Sequence, residues 1–132
     1  ANRALGAVRG ALRLAPVAEI DVQVLCLRER VDHPQILATS RHVSCGGVEL
    51  QDVRWASDEL SGRLQRWDAR SGFLHVTEPP GWEAVAVEVG AGRAELGERI
   101  ETTAAHEIRW RRVWIASTTP AVTWKIRYRR VP

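Results

Sequence analysis

His106-Glu-Ile-Arg-Trp-Arg-Arg-Val-Trp-Ile-Ala-Ser-Thr-Thr-Pro-Ala-Val-Thr-Trp-Lys-Ile-Arg-Tyr-Arg-Arg-Val-Pro132 is the stretch on which the reading of this chain turns. It holds two strand-like runs, Ile108 to Ile115 and Val122 to Val131, separated by Ala116 to Ala121, whose polar, proline-bearing composition marks a turn. In the second run Trp124, Ile126 and Tyr128 alternate with Lys125, Arg127 and Arg129. A period of two sets the apolar rings on one face of a sheet and the cations on the other. The first run begins the same way, Ile108 and Trp110 against Arg109 and Arg111. The doublet Arg111-Arg112 then supplies the extra residue that a β-bulge needs. The expectation is a hairpin with an apolar inner face and a basic outer face.

Working back toward the N-terminus, similar runs recur at intervals of about ten residues. Glu19 to Arg28 carries Ile20, Val22, Val24 and Cys26 on one face, with Leu25 and Leu27 on the other, the pattern of a strand covered on both sides. Gln35 to Ala38 and Arg41 to Cys45 are short extended pieces, and Gly46-Gly47 is a turn or bulge signal. Val48 to Trp55, Leu60 to Trp67, Phe73 to Thr77, Ala84 to Val89 and Ala94 to Ile100 complete the set, divided by Ala56-Ser-Asp-Glu59, Asp68 to Gly72, Glu78-Pro-Pro-Gly81 and Gly90-Ala-Gly92. Eight or nine short strands with no helix after residue 15 predict an all-β fold, an antiparallel β-sandwich, with a small β-barrel as the alternative. Residues 1–16 read as a short helix or a linker: Leu5, Val8 and Leu12 share a helical face, Gly6 and Gly10 weaken it, and Pro16 ends it. Residues 17–132 form one all-β domain on this reading.

The chain of 132 residues has 45% hydrophobic and 27% charged residues, which excludes a disordered polymer. No run approaches the roughly 18 apolar residues of a membrane-spanning helix. Methionine is absent, even at position 1, so a processed protein or an excised domain is expected. The net charge of +3 is unevenly placed: residues 106–132 hold seven basic residues against Glu107 alone, whereas residues 16–105 hold nine basic and fifteen acidic residues. Either the basic strands pair with acidic neighbours across the sheet, or Arg109, Arg111, Lys125, Arg127 and Arg129 form a face for a polyanion such as nucleic acid.

No catalytic constellation emerges. Cys26, His33, His42 and Cys45 lack the close spacings that make a zinc site specific. Asp32-His33 and Ser40-Arg-His42 have the residue types of a hydrolytic triad but no nucleophile elbow. The glycines follow no phosphate-binding pattern, so no cofactor is expected. Cys26 and Cys45 either form a disulfide, if their strands are neighbours, a loop of that length being worth about 3 kcal/mol in the chain-entropy account, or stay as buried free thiols, since cysteine behaves as a small hydrophobe. Six tryptophans against one tyrosine and one phenylalanine is the compositional oddity. An indole on an exposed sheet face stacks on sugar rings or bases. Trp82, after Pro79-Pro-Gly81, is the first candidate for such a role, with Trp55 and Trp67 behind it, whereas Trp110 and Trp124 belong to the core.

Pro34-Gln-Ile-Leu-Ala-Thr-Ser-Arg-His-Val43, then Leu60-Ser-Gly62, then Phe73-Leu-His-Val-Thr-Glu-Pro-Pro-Gly-Trp82 together resemble the all-β accessory domains at the C-terminal ends of bacterial glycoside hydrolases. In such domains a strand ending in Pro-x-Gly-Trp precedes further strands, and the chain closes on a Trp-x-Ile/Val-x-aromatic strand, here Trp124-Lys-Ile-Arg-Tyr128. The resemblance implies a non-catalytic sandwich that supports a catalytic domain or binds a glycan. It carries over no catalytic residue, because such domains supply none. A polyanion binder and a small barrel enzyme or ligand carrier are the other two expectations, the last requiring an interior cavity with convergent polar groups.

Overall fold

The structure, a computed structural model, describes residues 8, 10–41, 44–65, 71–101 and 109–132. Eight strands form: β1 (Ile36–Thr39), β2 (Leu50–Ala56), β3 (Glu59–Leu64), β4 (Ser71–Thr77), β5 (Trp82–Val89), β6 (Arg93–Glu101), β7 (Arg109–Ala116) and β8 (Val122–Arg130). They make two antiparallel four-stranded sheets, ordered β1-β4-β7-β6 (sheet A) and β2-β3-β8-β5 (sheet B). The β-sandwich is therefore the fold; neither sheet closes into a barrel. β2–β3 and β6–β7 join neighbours within one sheet, and the remaining connections carry the chain from one sheet to the other. Among the described residues there is no helix, and so none long and apolar enough to cross a membrane. Of the expected N-terminal helix or linker, residues 1–7 and 9 lie outside the described residues, and residues 10–16 form no helix.

β8 follows its sequence pattern residue by residue. Val122, Trp124, Ile126 and Tyr128 are buried, and Thr123, Lys125, Arg127 and Arg129 are exposed. Trp124 fits because Gly62, opposite it on β3, has no side chain: a Cβ there would stand 2.7 Å from the indole Cζ2. Leu60, Leu64, Leu74, Val76, Val113 and Ile115 fill the space between the sheets. Burying each large aliphatic group stabilises the fold by about 1.5–3 kcal/mol.

Four expectations are corrected. β7 and β8 are not a hairpin: they lie in different sheets. Two strands that each bury one face gain as much by packing across a sandwich as by pairing side by side, and alternation does not tell the two apart. β7 also has no bulge at Arg111-Arg112. Its pairing with β4 runs without a shift from Ser71↔Ala116 to Thr77↔Trp110, and the irregularity lies on the other side, where β6 spends an extra residue between Leu96 and Arg99. Uninterrupted alternation puts Arg111, Val113 and Ile115 on the core face and Trp110, Arg112 and Trp114 on the outer face. Trp110 is 4% exposed but stands outside the inter-sheet core.

The third correction concerns Glu19 to Arg28, which forms no strand. Ile20, Val22 and Leu27 are 99%, 85% and 76% exposed. The segment meets β1 through Cys26 Sγ and Arg28 Nε, both donating to the Leu37 carbonyl, and its Glu29 carbonyl accepts from Gln35 Nε2. Period two states a preference for a pleated surface, not the presence of a ladder to join. Fourth, Arg41 to Cys45 is not an extended piece where it is described. Residues 44–49 form consecutive turns, with Cys45 at φ 48° and Gly46 at φ 96°. The buried Glu49 carboxylate ties this loop, accepting from the Gly46 amide at 2.9 Å and from the Thr39 hydroxyl of β1. Burial alone would raise its pKa, but these hydrogen bonds and one from Ser44 bring it below the usual carboxylate range.

Candidate functional site

The sequence-derived candidates are scattered by the fold. Trp82 is not a loop indole: β5 begins with it, and it is 3% exposed within the core. β5 pairs Ala84 with Tyr128 and Ala86 with Arg127, so Val85 is the extra residue of a bulge and is exposed, while Trp82 and Ala84 point inward with Val87 and Val89. The Arg130 guanidinium covers the Trp82 ring at 3.9 Å. Trp55 is half-buried, edge-on to Trp82 at 4.9 Å and stacked on His33 at 5.8 Å, beside a groove of about 320 Å³. Trp67 lies outside the described residues.

Four of the five cationic candidates are matched by acids. Lys125 and Arg127 both face Glu88, at 3.8 and 3.2 Å, and Arg129 meets Glu83 at 2.6 Å. The last contact holds the Glu83 carboxyl below its ordinary range, chiefly through the hydrogen bond from Arg129. Arg111 points inward to the fully buried Glu78 at 2.8 Å. Arg109 is half-buried at the start of β7, where its carbonyl accepts from the Glu78 amide. The outer face of sheet B is thus a mixed surface of cross-strand ion pairs, with a groove of about 590 Å³ that both signs of charge line. Each exposed pair adds no more than about 1 kcal/mol.

Glu78 is the centre of a second polar constellation. Its Oε1 accepts from the Ala84 amide (3.0 Å) and from Arg111 Nε, and its Oε2 accepts from Arg99 Nε at 2.6 Å. Arg99 continues to Glu83 at 3.0 Å, and Glu83 to Arg129, so one chain of charges crosses from sheet A to sheet B. Both carboxylate oxygens of Glu78 are matched, which makes it a clamp between the sheets. The adjacent Tyr128 phenol is driven far above its ordinary range by burial and then by the Glu78 charge.

Cys26 and Cys45 are thiols, with no disulfide joining them. Cys26 Sγ lies 3.9 Å from the Cys45 carbonyl, and the Cys45 thiol is raised by burial and then by its neighbour Cys26. Among the described residues no group of three or more His, Cys, Asp or Glu side chains is placed to hold a metal ion. His42 lies outside them.

What the fold does assemble is an aromatic face on the outside of sheet A. β4 presents Phe73, His75 and Thr77 outward, and β7 presents Trp110, Arg112 and Trp114 opposite them. His75 stacks on Trp110 with ring centroids 4.7 Å apart and 26° between planes. Phe73 is edge-on to His75 at 4.8 Å and to Trp114 at 4.9 Å, so the four rings form one continuous row. The Arg112 guanidinium carbon lies 5.0 Å from the Phe73 ring and 5.9 Å from the Trp110 ring. Trp114 is 43% exposed at the end of the row. Its indole borders Gly97 of the β6 bulge, where a Cβ would stand 3.4 Å from Nε1.

This face is polar at its heart. His75 Nε2, Trp110 Nε1 and Arg112 Nε are buried with no hydrogen-bond partner among the described residues. His75 is lowered to about 4 by burial and then by the Arg112 charge, so it is neutral at physiological pH. Sequence reading missed this row because it placed a bulge at Arg111-Arg112. Strict alternation from Trp110 would have shown aromatic, cation, aromatic at positions 110, 112 and 114. No protein-family model matches the chain, and comparisons with curated proteins and with solved structures find no match either.

Proposed function

We propose that this chain is a non-catalytic β-sandwich binding module whose ligand, a glycan, lies on the outer face of sheet A, in the manner of a domain accessory to a carbohydrate-active enzyme. The observation that carries this reading is Trp114: an indole 43% exposed on a sheet face, seated edge-on against Phe73 at 4.9 Å. A large apolar ring exposed on a rigid strand presents a flat π surface without an ordering cost at binding, and pyranose C–H faces suit such a surface. Trp114 takes the role that the sequence suggested for Trp82, whose ring is occupied by the core and by Arg130.

The polyanion reading is weaker, because a phosphate would have to displace Glu88 or Glu83 from the outward cations of β8. A barrel enzyme or carrier needs an interior cavity, whereas the space between the sheets is filled by leucine, isoleucine, valine and tryptophan side chains. Titration of the chain with a panel of neutral and acidic polysaccharides, followed by tryptophan fluorescence and calorimetry, tests the proposal. Saturable binding that Trp114→Ala abolishes supports it. Silence across the panel, or binding indifferent to Trp114→Ala, removes it.

A further inference from the structure

Arg112 contrasts with the ion-paired arginines of this fold. Arg99, Arg111, Arg127 and Arg129 each meet a glutamate within 3.2 Å. Arg112 meets no carboxylate among the described residues, not even Glu95, which stands opposite the neighbouring Trp114 on β6. Yet it is half-buried, with Nε shielded from solvent and without a partner, and two aromatic rings bracket its guanidinium. A guanidinium that has lost part of its hydration and gained only π contacts retains an unmet demand for an anion. Stacking fixes the plane of the fork, so little rotamer freedom is lost when two parallel hydrogen bonds form. Partial burial strengthens such a pair relative to one in open water.

We propose that Arg112 is the anion-binding residue of this face and that the ligand is an acidic polysaccharide, a uronate residue placing its carboxylate on the guanidinium while a sugar ring lies on Trp114. This rests on the glycan reading above and narrows it. The planar, two-oxygen carboxylate matches the fork, and the uncharged His75 adds no second cation that would favour a dianion such as phosphate. An acidic peptide shares the carboxylate but offers no rigid ring face to the exposed indole.

The test compares de-esterified homogalacturonan with the same polymer fully methyl-esterified, which keeps the backbone and removes the charge. Calorimetry on the full chain is expected to show binding of the acid form about tenfold tighter than the ester. Arg112→Gln is expected to erase that difference, Arg112→Lys to restore part of it, and Trp114→Ala to weaken both forms. Far-ultraviolet circular dichroism and thermal melts confirm that each variant is folded. Equal binding of acid and ester overturns the inference and leaves the glycan proposal standing. Preference for a sulfated glycan, or competition by poly-glutamate as strong as by the uronan, overturns the carboxylate-bearing sugar as ligand. Absence of binding to either polymer, while a neutral polysaccharide binds, also overturns it; absence of binding to any glycan overturns both proposals.

Discussion

The Glu78 carboxylate, with no exposed surface, accepts a 2.8 Å hydrogen bond from Nε of Arg111, the one arginine of the Arg109-Trp-Arg-Arg112 run whose side chain is seen to reach into the sandwich. That pairing fixes the register of β7. Once Arg111 points inward, alternation sends Trp110, Arg112 and Trp114 outward, so the ion pair and the aromatic face follow from one choice of strand orientation. A slip by one residue would turn Arg112 and Trp114 inward and cost Glu78 its bond from Arg111, leaving it Arg99 and the Ala84 amide.

Glu78→Gln keeps the shape and removes the charge, leaving Arg111 half-buried without its carboxylate and Arg99 with Glu83 alone. Loss of one member of a buried pair costs about 3–5 kcal/mol. Urea unfolding should show a loss near the lower end of this range, since the amide still accepts one hydrogen bond. A change under about 1 kcal/mol would mean that Glu78 is not the clamp between the sheets.

Gly62→Ala tests the notch under Trp124. The added Cβ would meet the indole at 2.7 Å and the Gln51 carbonyl at 3.1 Å, and neither can withdraw far within a packed sheet. Overpacking of this kind costs about 1–3 kcal/mol, read as a lower urea midpoint at unchanged slope. Unaltered stability would show that the ring is free to shift.

His75 makes stability depend on pH. Its folded pKa, about 4, lies below the unfolded value of 6.5, so the unfolded chain binds the proton first as pH falls. Its contribution is complete above about pH 6.5 and is lost between there and about pH 4, amounting to roughly 3 kcal/mol. Acidic groups also destabilise the fold at the lower end of that window, so the informative quantity is a difference. His75→Phe, which keeps a ring between Phe73 and Trp110, should unfold with a shallower pH slope than the parent between pH 6.5 and 4.5. Identical slopes would mean that His75 is already charged in the fold.

The two thiols should react unequally. Cys26 is exposed, while Cys45 is half-buried and its thiol is raised by burial and by Cys26, which lowers its thiolate fraction. Limited treatment with iodoacetamide at pH 8, followed by peptide mass spectrometry, should label Cys26 severalfold faster. Faster labelling of Cys45 would contradict the placement of the 44–49 loop.

The strand alternation of β8, the turn signals and the absence of a helical period after residue 15 were enough to read an antiparallel sandwich in the sequence, because burial of one sheet face writes itself into every second residue. Most strand boundaries follow for the same reason: Gly81, Gly90 and Gly92 end or begin strands where the chain turns. Tertiary structure alone decided which face was inner on β7, since Arg111 goes inward only because Glu78, thirty-three positions earlier, waits there with its charge. It likewise decided the fate of Trp82, drawn into the core by the bulge at Val85, and of Glu19 to Arg28, whose alternation finds no strand to pair with. Local pattern records what a residue prefers to touch. Which partner stands opposite is set by contacts distant in sequence, and there the candidate site was made.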